Sequence, residues 1–305
     1  MTTVSFITVD VFTTNRFEGN PLAVMADARG LTDADMQNIA AEFGYSEVTF
    51  VLPPHDPDNT ARVRIFTPTM EVPFAGHPNV GTAYVLGMRG EVFGKPVGDS
   101  LRFEEKAGIV TVELKRGGDR VLSAAIRAPG PLAIGREIPE DTVARCISID
   151  AAMVSTRVHR PLTASVGLGF VVAELTGLDA LALARPNLTH FQDAASATQK
   201  GNLDFALFVY VRTPEAPWTI RARMFAPLDN VPEDPATGSA SAALAAYLVS
   251  LEPETDMRVS LTIEQGVEMG RRSVIGVDVV KTNGVVTDVT ISGACVEVMR
   301  GEIRC

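Results

Sequence analysis

Cysteine is scarce in this sequence: three residues in 305, at Cys146, Cys295 and Cys305. The number is odd and the spacing is wide, which fits neither a disulfide framework nor a CxxC metal site. We therefore expect a protein of a reducing compartment, the cytoplasm. The first residues, "MTTVSFITVDVF", also lack the basic region of a signal peptide and run directly into a strand pattern.

Positive charge is also in short supply. The chain carries 27 Lys and Arg against 37 Asp and Glu, for a net charge of −10 and an isoelectric point near 5.0. A nucleic-acid or anionic-membrane surface needs a basic stripe that this composition does not provide. The longest weakly polar run, residues 240–251, is too short to span a bilayer. A small molecule is the expected partner.

The motifs of the common cofactors are missing. There is no P-loop, no GxGxxG following a strand and no cluster of His and Cys. We therefore expect neither a nucleotide cofactor nor a metal.

The remaining composition is that of a folded protein, with 46% hydrophobic and 21% charged residues. The length favours two domains or one large α/β unit. Alternating or β-branched runs predict eleven strands: Val4–Phe12, Glu47–Leu52, Ala61–Phe66, Gly108–Leu114, Ala124–Ala128, Phe170–Leu175, Ala206–Val211, Thr219–Phe225, Val259–Ile263, Val274–Val279 and Val285–Ile291.

Three stretches predict helices: Leu31–Phe43, Pro78–Leu86 and Pro235–Leu251. In the first, Thr32 and Asp35 form a capping pattern at the start of an apolar face. Many strands and few helices indicate an α+β protein with curved mixed sheets around helices.

One motif occurs twice, about half the chain length apart. "HPNVGTA" begins at His77 and follows "VRIFTP", whereas "DPATGSA" begins at Asp234 and follows "ARMFAP". Two similar halves explain this repeat. The Pro- and Gly-containing stretch "APGPLAIG" at 128–135 suggests the boundary. We thus expect an N-terminal half at 1–128 and a C-terminal half at 129–305, with the last strand packing back on the N-terminal half.

Each copy of the motif suits the start of a helix. Asp234 is a natural N-cap for a helix with Pro235 in its first turn. In both copies the Gly and hydroxyl residues are expected in that first turn, where exposed N–H groups favour an anion. The residues predicted to bind substrate are Gly76, Gly81, Thr82, Thr237 and Gly238. The spacing alone also allows a purely structural reading, with Asp234 as a cap and His77 as a core histidine.

Five ordered stretches resemble the phenazine-biosynthesis-like (PhzF) family. They are "VDVFTTNRFEGNPLAV" (9–24), "YSEVTFV" (45–51), "RIFTPTMEVPFAGHPNVGTA" (64–83), "RMFAPLDNVPEDPATGSASAAL" (223–244) and "IEQGVEMGRRS" (263–273). The resemblance implies a diaminopimelate epimerase-like fold, with two pseudo-symmetric domains, each a curved sheet or open barrel around a central helix. It also implies a site in the cleft between the domains, and a homodimer.

The same resemblance implies the catalytic residues. The family's acid/base carboxylate falls on Glu47, its histidine on His77, and its Asp and Ser on Asp234 and Ser239. The implied chemistry is a cofactor-independent isomerisation in which one carboxyl group moves a proton on a small carboxylated metabolite. A base for a carbon acid works best with a pKa near the working pH, which burial of a glutamate provides.

Other functions remain open. An epimerase or a water-eliminating lyase would also begin with proton removal from an amino or hydroxy acid, and a binding protein could keep the fold without catalysis. A two-thiol racemase is not expected, because no cysteine lies near either motif. The stretches "TASVGLGFVV" (163–172) and "NVP" (230–232) depart from the family pattern, so the substrate of the phenazine enzyme does not follow from the resemblance.

Overall fold

The structure is a computed structural model that describes residues 3–197, 205–213 and 215–305. The chain separates into two compact units. The first unit comprises Met1–Arg127 together with Ser292–Cys305, and the second comprises Ala128–Ile291. No helix of the described residues has the length and apolar character needed to cross a membrane.

The described residues form strands throughout both units. In chain order they are β1 Thr3–Val11, β2 Asn20–Met25, β3 Val48–Leu52, β4 Ala61–Phe66, β5 Glu71–Val72, β6 Glu91–Val92, β7 Lys95–Pro96, β8 Ser100–Glu105, β9 Gly108–Gly117, β10 Arg120–Arg127, β11 Ala133–Glu137, β12 Leu162–Ser165, β13 Gly169–Glu174, β14 Leu207–Thr213, β15 Ala216–Ala226, β16 Val231–Asp234, β17 Met257–Gln265, β18 Ser273–Thr282, β19 Val285–Gly293 and β20 Cys295–Arg304. The helices are α1 Asp33–Phe43, α2 Gly76–Arg89, α3 Glu140–Cys146, α4 Leu178–Leu183, α5 Leu188–Ala197 and α6 Gly238–Ser250.

The two units share one sheet topology. In the first, β1–β2 is antiparallel, β2–β3 parallel, β3–β4 antiparallel, β4–β8 parallel and β8–β9 antiparallel. In the second, the pairs β12–β13, β13–β14, β14–β15, β15–β17 and β17–β18 repeat the same order of directions. Such a match is typical of an internal duplication.

A central helix occupies the same place in each topology. Helix α2 packs on β1, β2, β9 and β10, and 10 of its 14 residues are buried. Helix α6 packs on β12, β13, β17 and β18, and 11 of its 13 residues are buried. Both helices are thus buried on most of their surface and lie inside their units. The sequence prediction of an α+β protein with mixed sheets around central helices is confirmed.

A duplicated ion pair precedes each central helix. Arg64 on β4 makes a bidentate contact with Glu71 on β5, with N–O distances of 2.8 and 2.7 Å. Arg223 on β15 makes the same contact with Glu233 on β16, at 2.8 Å for both bonds. Each guanidinium also lies over the ring of the phenylalanine two residues further on. The repeat therefore extends to a structural contact in front of each motif.

The eleven predicted strands each overlap an observed strand, and the predicted capping box of α1 is present. Thr32 accepts a hydrogen bond from the N–H of Asp35, whose carboxylate accepts from the N–H of Thr32. The prediction of only three helices was wrong, because α3, α4 and α5 are also present. These helices are short, and α3 and α5 bury their apolar residues in one core cluster of the second unit, so packing stabilises them more than local sequence does.

Candidate functional site

Glu47 immediately precedes β3 in the first unit. Strand β3 is completely buried and runs parallel to β2, which fixes the position of its first residues. The neighbouring Ser46 hydroxyl donates to the side chain of Asn20 at 3.3 Å, which anchors the approach to the strand. The Glu47 side chain is 19% exposed.

His77 is the second residue of α2, and its side chain is only 6% exposed. Its Nε2 atom lies 3.7 Å from Oε2 of Glu47. That separation exceeds a normal hydrogen bond but is short enough for a strong electrostatic influence between the two groups. The structure thus brings two of the predicted catalytic residues together.

A buried hydroxyl contact joins the elements that carry these residues. Thr49 on β3 and Thr82 on α2 are 2.8 Å apart, and both are fully buried. Gly81 lies directly on the sheet, since a Cβ atom there would fall 2.5 Å from Leu22 and 2.8 Å from Val11. The structure therefore gives Gly81 and Thr82 a packing function, and their substrate contact stays a prediction.

Burial changes the acidity of Glu47. Desolvation raises the pKa of its carboxyl to about 7, and the nearby Ser46 side chain only partly opposes the rise. A carboxyl with this pKa exchanges its proton near neutral pH. It therefore has the property required of a general acid/base.

Asp234 is the last residue of β16 in the second unit and is buried. The prediction that it caps a helix was wrong, because α6 begins at Gly238 and its N-cap is Thr237. The hydroxyl of Thr237 instead donates to Oδ2 of Asp234 at 2.5 Å. Pro235 accordingly lies in the connection, outside the helix.

Gln265 at the end of β17 holds this connection in place. Its Oε1 accepts from the N–H of Thr237 at 3.0 Å, and its Nε2 donates to the carbonyl of Asp234 at 2.7 Å and to the hydroxyl of Thr237 at 3.0 Å. The next residue, Gly266, has φ +73° and lies so close to Pro235 that a Cβ atom would clash with its backbone. The motif at 263–273 thus positions the Asp234 segment.

Ser239 is the second residue of α6 and is half-buried, whereas its neighbours Gly238 and Ala240 are buried. The start of α6 has no side-chain cap and no acidic residue in its first turn. Helix α2 starts in the same way. Both helix starts therefore retain the positive character that favours an anion.

The two copies of the motif differ in where their helices begin. Helix α6 starts at the Gly of its motif, whereas α2 starts at Gly76, before its motif. Gly81 and Thr82 therefore lie in the second turn of α2, and the prediction of a first-turn position was wrong for them. Gly76 lies at the helix start, with open space where a Cβ atom would project.

Sequence reasoning missed the contributions of Gln265 and of the two Arg–Glu pairs. Gln265 stands within the quoted stretch at 263–273, and the Arg residues precede a Phe-x-Pro sequence in both halves. Repeated spacing was thus a usable signal for the pairs. No local pattern indicates the partner of Gln265, which is 28 residues away.

A family model described as phenazine biosynthesis-like protein matches residues 9–301. The chain belongs to the PhzF family. This membership agrees with the five quoted stretches, which run through most of the chain.

Relatives of this PhzF-family chain are matched over nearly their full lengths. An uncharacterised isomerase of Mesorhizobium japonicum is 35% identical, covering 99% of each chain. The trans-2,3-dihydro-3-hydroxyanthranilate isomerase of Pseudomonas fluorescens is 33% identical, covering 98% of this chain and 99% of the relative. Both relatives are named isomerases. The PhzF-family chain is therefore an enzyme of the isomerase class.

Solved structures agree on the fold. A PhzF-family protein of Bacillus anthracis superposes with a TM-score of 0.87 at 26% identity, over 100% of both chains. A hydroxyproline epimerase of Agrobacterium vitis gives a TM-score of 0.64 at 13% identity, covering 99% of this chain and 92% of that one. At that identity the likeness concerns the fold alone, and it confirms the diaminopimelate epimerase-like architecture.

Proposed function

We propose that the chain catalyses a cofactor-independent proton shift on a small carboxylated metabolite, with Glu47 as the general acid/base. The observation that carries the proposal is the Glu47 carboxyl, which has a pKa of about 7 and lies 3.7 Å from the His77 imidazole. A group that titrates near neutral pH can both remove and return a proton.

The reaction begins when ionised Glu47 takes a proton from a substrate carbon. The C–H bond breaks, and its electron pair enters the conjugated system of the substrate. Glu47, now protonated, returns the proton to another carbon of the same system. The substrate keeps its composition, and the enzyme recovers its starting state.

The remaining residues bind and stabilise the substrate in this proposal. The uncapped starts of α2 and α6 offer N–H groups to a carboxylate or to the charge that develops during proton transfer. The Ser239 hydroxyl is a further donor. Asp234, held by Thr237 and Gln265, orients a substrate amine or hydroxyl. That these residues share one substrate with Glu47 follows from the family resemblance.

The substrate class is supported by the relatives. Proteins of Pseudomonas fluorescens and Pseudomonas chlororaphis, 33% and 34% identical, are named trans-2,3-dihydro-3-hydroxyanthranilate isomerases. We extend to this chain only the shared chemistry of a small carboxylated compound with a movable proton.

Solvent exchange tests the proposal. Candidate amino and hydroxy acids, including the dihydro-hydroxyanthranilate, are incubated with enzyme in deuterated water, and deuterium at carbon is measured by NMR. Glu47→Gln should lower the exchange rate by about 10²- to 10⁴-fold. Glu42→Gln, an exposed glutamate near the end of α1, is the matched control and should leave the rate unchanged.

The dependence of the rate on pH provides a second check. Because Glu47 must be ionised to accept the proton, the exchange rate should rise with pH and level off above about 7. Unchanged exchange in Glu47→Gln would refute the assignment. Metabolites that raise the melting temperature without exchanging would favour a binding protein.

A further inference from the structure

Glu105, the last residue of β8, is a carboxyl group that the proposed reaction does not use. Both of its oxygens are buried and have no hydrogen-bond partner among the described residues. A polar side chain beside it is Asn79, on the first part of α2. Glu105 therefore reaches the helix that carries His77 from a neighbouring strand.

Asn79 links Glu105 to the start of this helix. It is fully buried, and its Nδ2 donates to the carbonyl of Ala75, the N-cap residue, at 3.0 Å. Its Oδ1 is buried and accepts no hydrogen bond from the described residues. A buried amide oxygen in this position requires a donor, and a protonated carboxyl group has one to give.

The duplication supplies an independent comparison. In the parallel pairs of the two units, Glu104 on β8 lies opposite Arg62, and Glu264 on β17 lies opposite Arg221. The next residue in each strand is its last, Glu105 in the first unit and Gln265 in the second. An amide and a protonated carboxyl have nearly the same shape, and both can donate and accept.

We propose that Glu105, in its protonated form, is a positioning residue that holds the start of α2 and thereby His77, as Gln265 holds the segment of Asp234. A proton on Glu105 supplies the donor that Oδ1 of Asn79 lacks, and Asn79 in turn donates to the carbonyl of Ala75 at 3.0 Å, next to the first turn that contains His77. This inference rests on the proposed function only where catalytic rates are measured.

The surroundings of Glu105 favour the protonated form. An Asn79 amide group that donates to the ionised carboxylate favours that form, but burial outweighs this effect and raises the pKa of the carboxyl to about 8. The next residue in the chain, Lys106, forms an ion pair with Glu71 at 2.6 Å.

Glu104 offers a matched control for the variants. Its carboxylate accepts from the N–H groups of His55 and Asp56 and from the Asn59 amide. Glu104 is thus adjacent to Glu105 in the same strand, but it binds the segment 55–59 instead of helix α2. Glu104→Gln should leave His77 and the catalytic rate unchanged.

NMR of the His77 imidazole, assigned with a His77→Gln variant, tests the inference without any substrate. Glu105→Ala should move the His77 signals and shift its titration by about half a pH unit or more. Glu105→Gln should restore the wild-type signals, because its amide replaces the protonated acid. Wild-type signals in Glu105→Ala, or equal shifts in Glu105→Gln or Glu104→Gln, would overturn the inference.

Kinetics add a readout that a general loss of stability would not produce. With an exchanging substrate, Glu105→Ala should lower kcat about tenfold with little change in KM, because His77 is misplaced while binding persists. Glu105→Gln should keep most of the activity and extend it above pH 8, where the wild-type acid ionises. If no substrate exchanges at all, the proposed function fails while the NMR result still decides the role of Glu105.

Discussion

The starts of α2 and α6 occupy equivalent places in two units of the same topology, yet their polar residues are held differently. At α6, Asp234 is bound by Thr237, and Gln265 makes three hydrogen bonds to this segment. At α2, desolvation raises the pKa of Glu47 to about 7 beside His77. Hydrogen bonds hold the Asp234 carboxylate at one helix start, whereas the carboxyl beside the other start, that of Glu47, titrates near neutral pH.

In the proposed function, this difference gives the two units different tasks. A fixed carboxylate suits orientation of a substrate, because its hydrogen bonds resist movement. A desolvated carboxyl suits proton transfer, because burial moves its pKa toward the working pH. The sheets and central helices were retained in both units, while the side chains at the helix starts diverged.

The two Arg–Glu pairs should differ most in stability. Arg223 is 3% exposed and also donates to the carbonyls of Leu181 and Ala184, whereas Arg64 is 19% exposed. Removing Arg223 leaves Glu233 without its partner in a largely buried place. Arg223→Ala should therefore lower the free energy of unfolding by about 3 to 5 kcal/mol, and Arg64→Ala by about 1 to 2 kcal/mol.

Urea denaturation of both variants measures these values. Equal losses in the free energy of unfolding would mean that the deeper burial of Arg223 does not make its ion pair more important for stability than that of Arg64.

The sequence accounts for much of this scaffold but not for its tertiary contacts. Alternation located eleven strands, and Thr32 located the start of α1, because both signals are local. The short strand β2 was not predicted, since it contains Pro21, a residue that usually argues against a strand.

The site was only partly predictable for the same reason. Asp-Pro at 234–235 has the local form of a helix start, but Gln265 binds the segment from another strand and the helix begins three residues beyond Asp-Pro. Glu47 came from the family resemblance alone, because no spacing rule reveals that a residue before a strand will be desolvated. Burial and long-range partners decide these positions.

Glu47 should make the stability of the first unit depend on pH. Its pKa is raised from 4.5 to about 7 by folding, so its contribution is fully favourable below about pH 4.5 and is lost as the pH rises through 7. Glu47→Gln has no such ionisation. The variant should match the wild type near pH 4 and be more stable at pH 8, by on the order of 3 kcal/mol.

Denaturation curves at the two pH values check this expectation. A variant that is equally stable or less stable than the wild type at pH 8 would show that burial does not destabilise ionised Glu47. Glu47 and Asp234 would then no longer differ in this respect.

Gln265→Ala should loosen the second helix start. The substitution removes three hydrogen bonds and leaves the N–H of Thr237 and the carbonyl of Asp234 without that partner. We expect a loss of about 1 to 3 kcal/mol in the free energy of unfolding. Faster amide exchange should appear at Thr237 but not at the start of α2, as measured by hydrogen exchange and NMR. Equal changes at both starts would contradict separate anchoring of the two segments.

Gly76→Ala should have the smallest effect on folding and still be informative about binding. A Cβ atom at Gly76 meets open space, so the free energy of unfolding should change by less than about 0.5 kcal/mol. Gly81→Ala is the contrasting variant, because its Cβ would overlap Leu22 and cost about 1 to 3 kcal/mol. If the substrate carboxylate approaches the start of α2, the new methyl group occupies its path, and KM should rise while stability does not change. An unchanged KM would remove Gly76 from the substrate site and leave the binding of the carboxylate to α6.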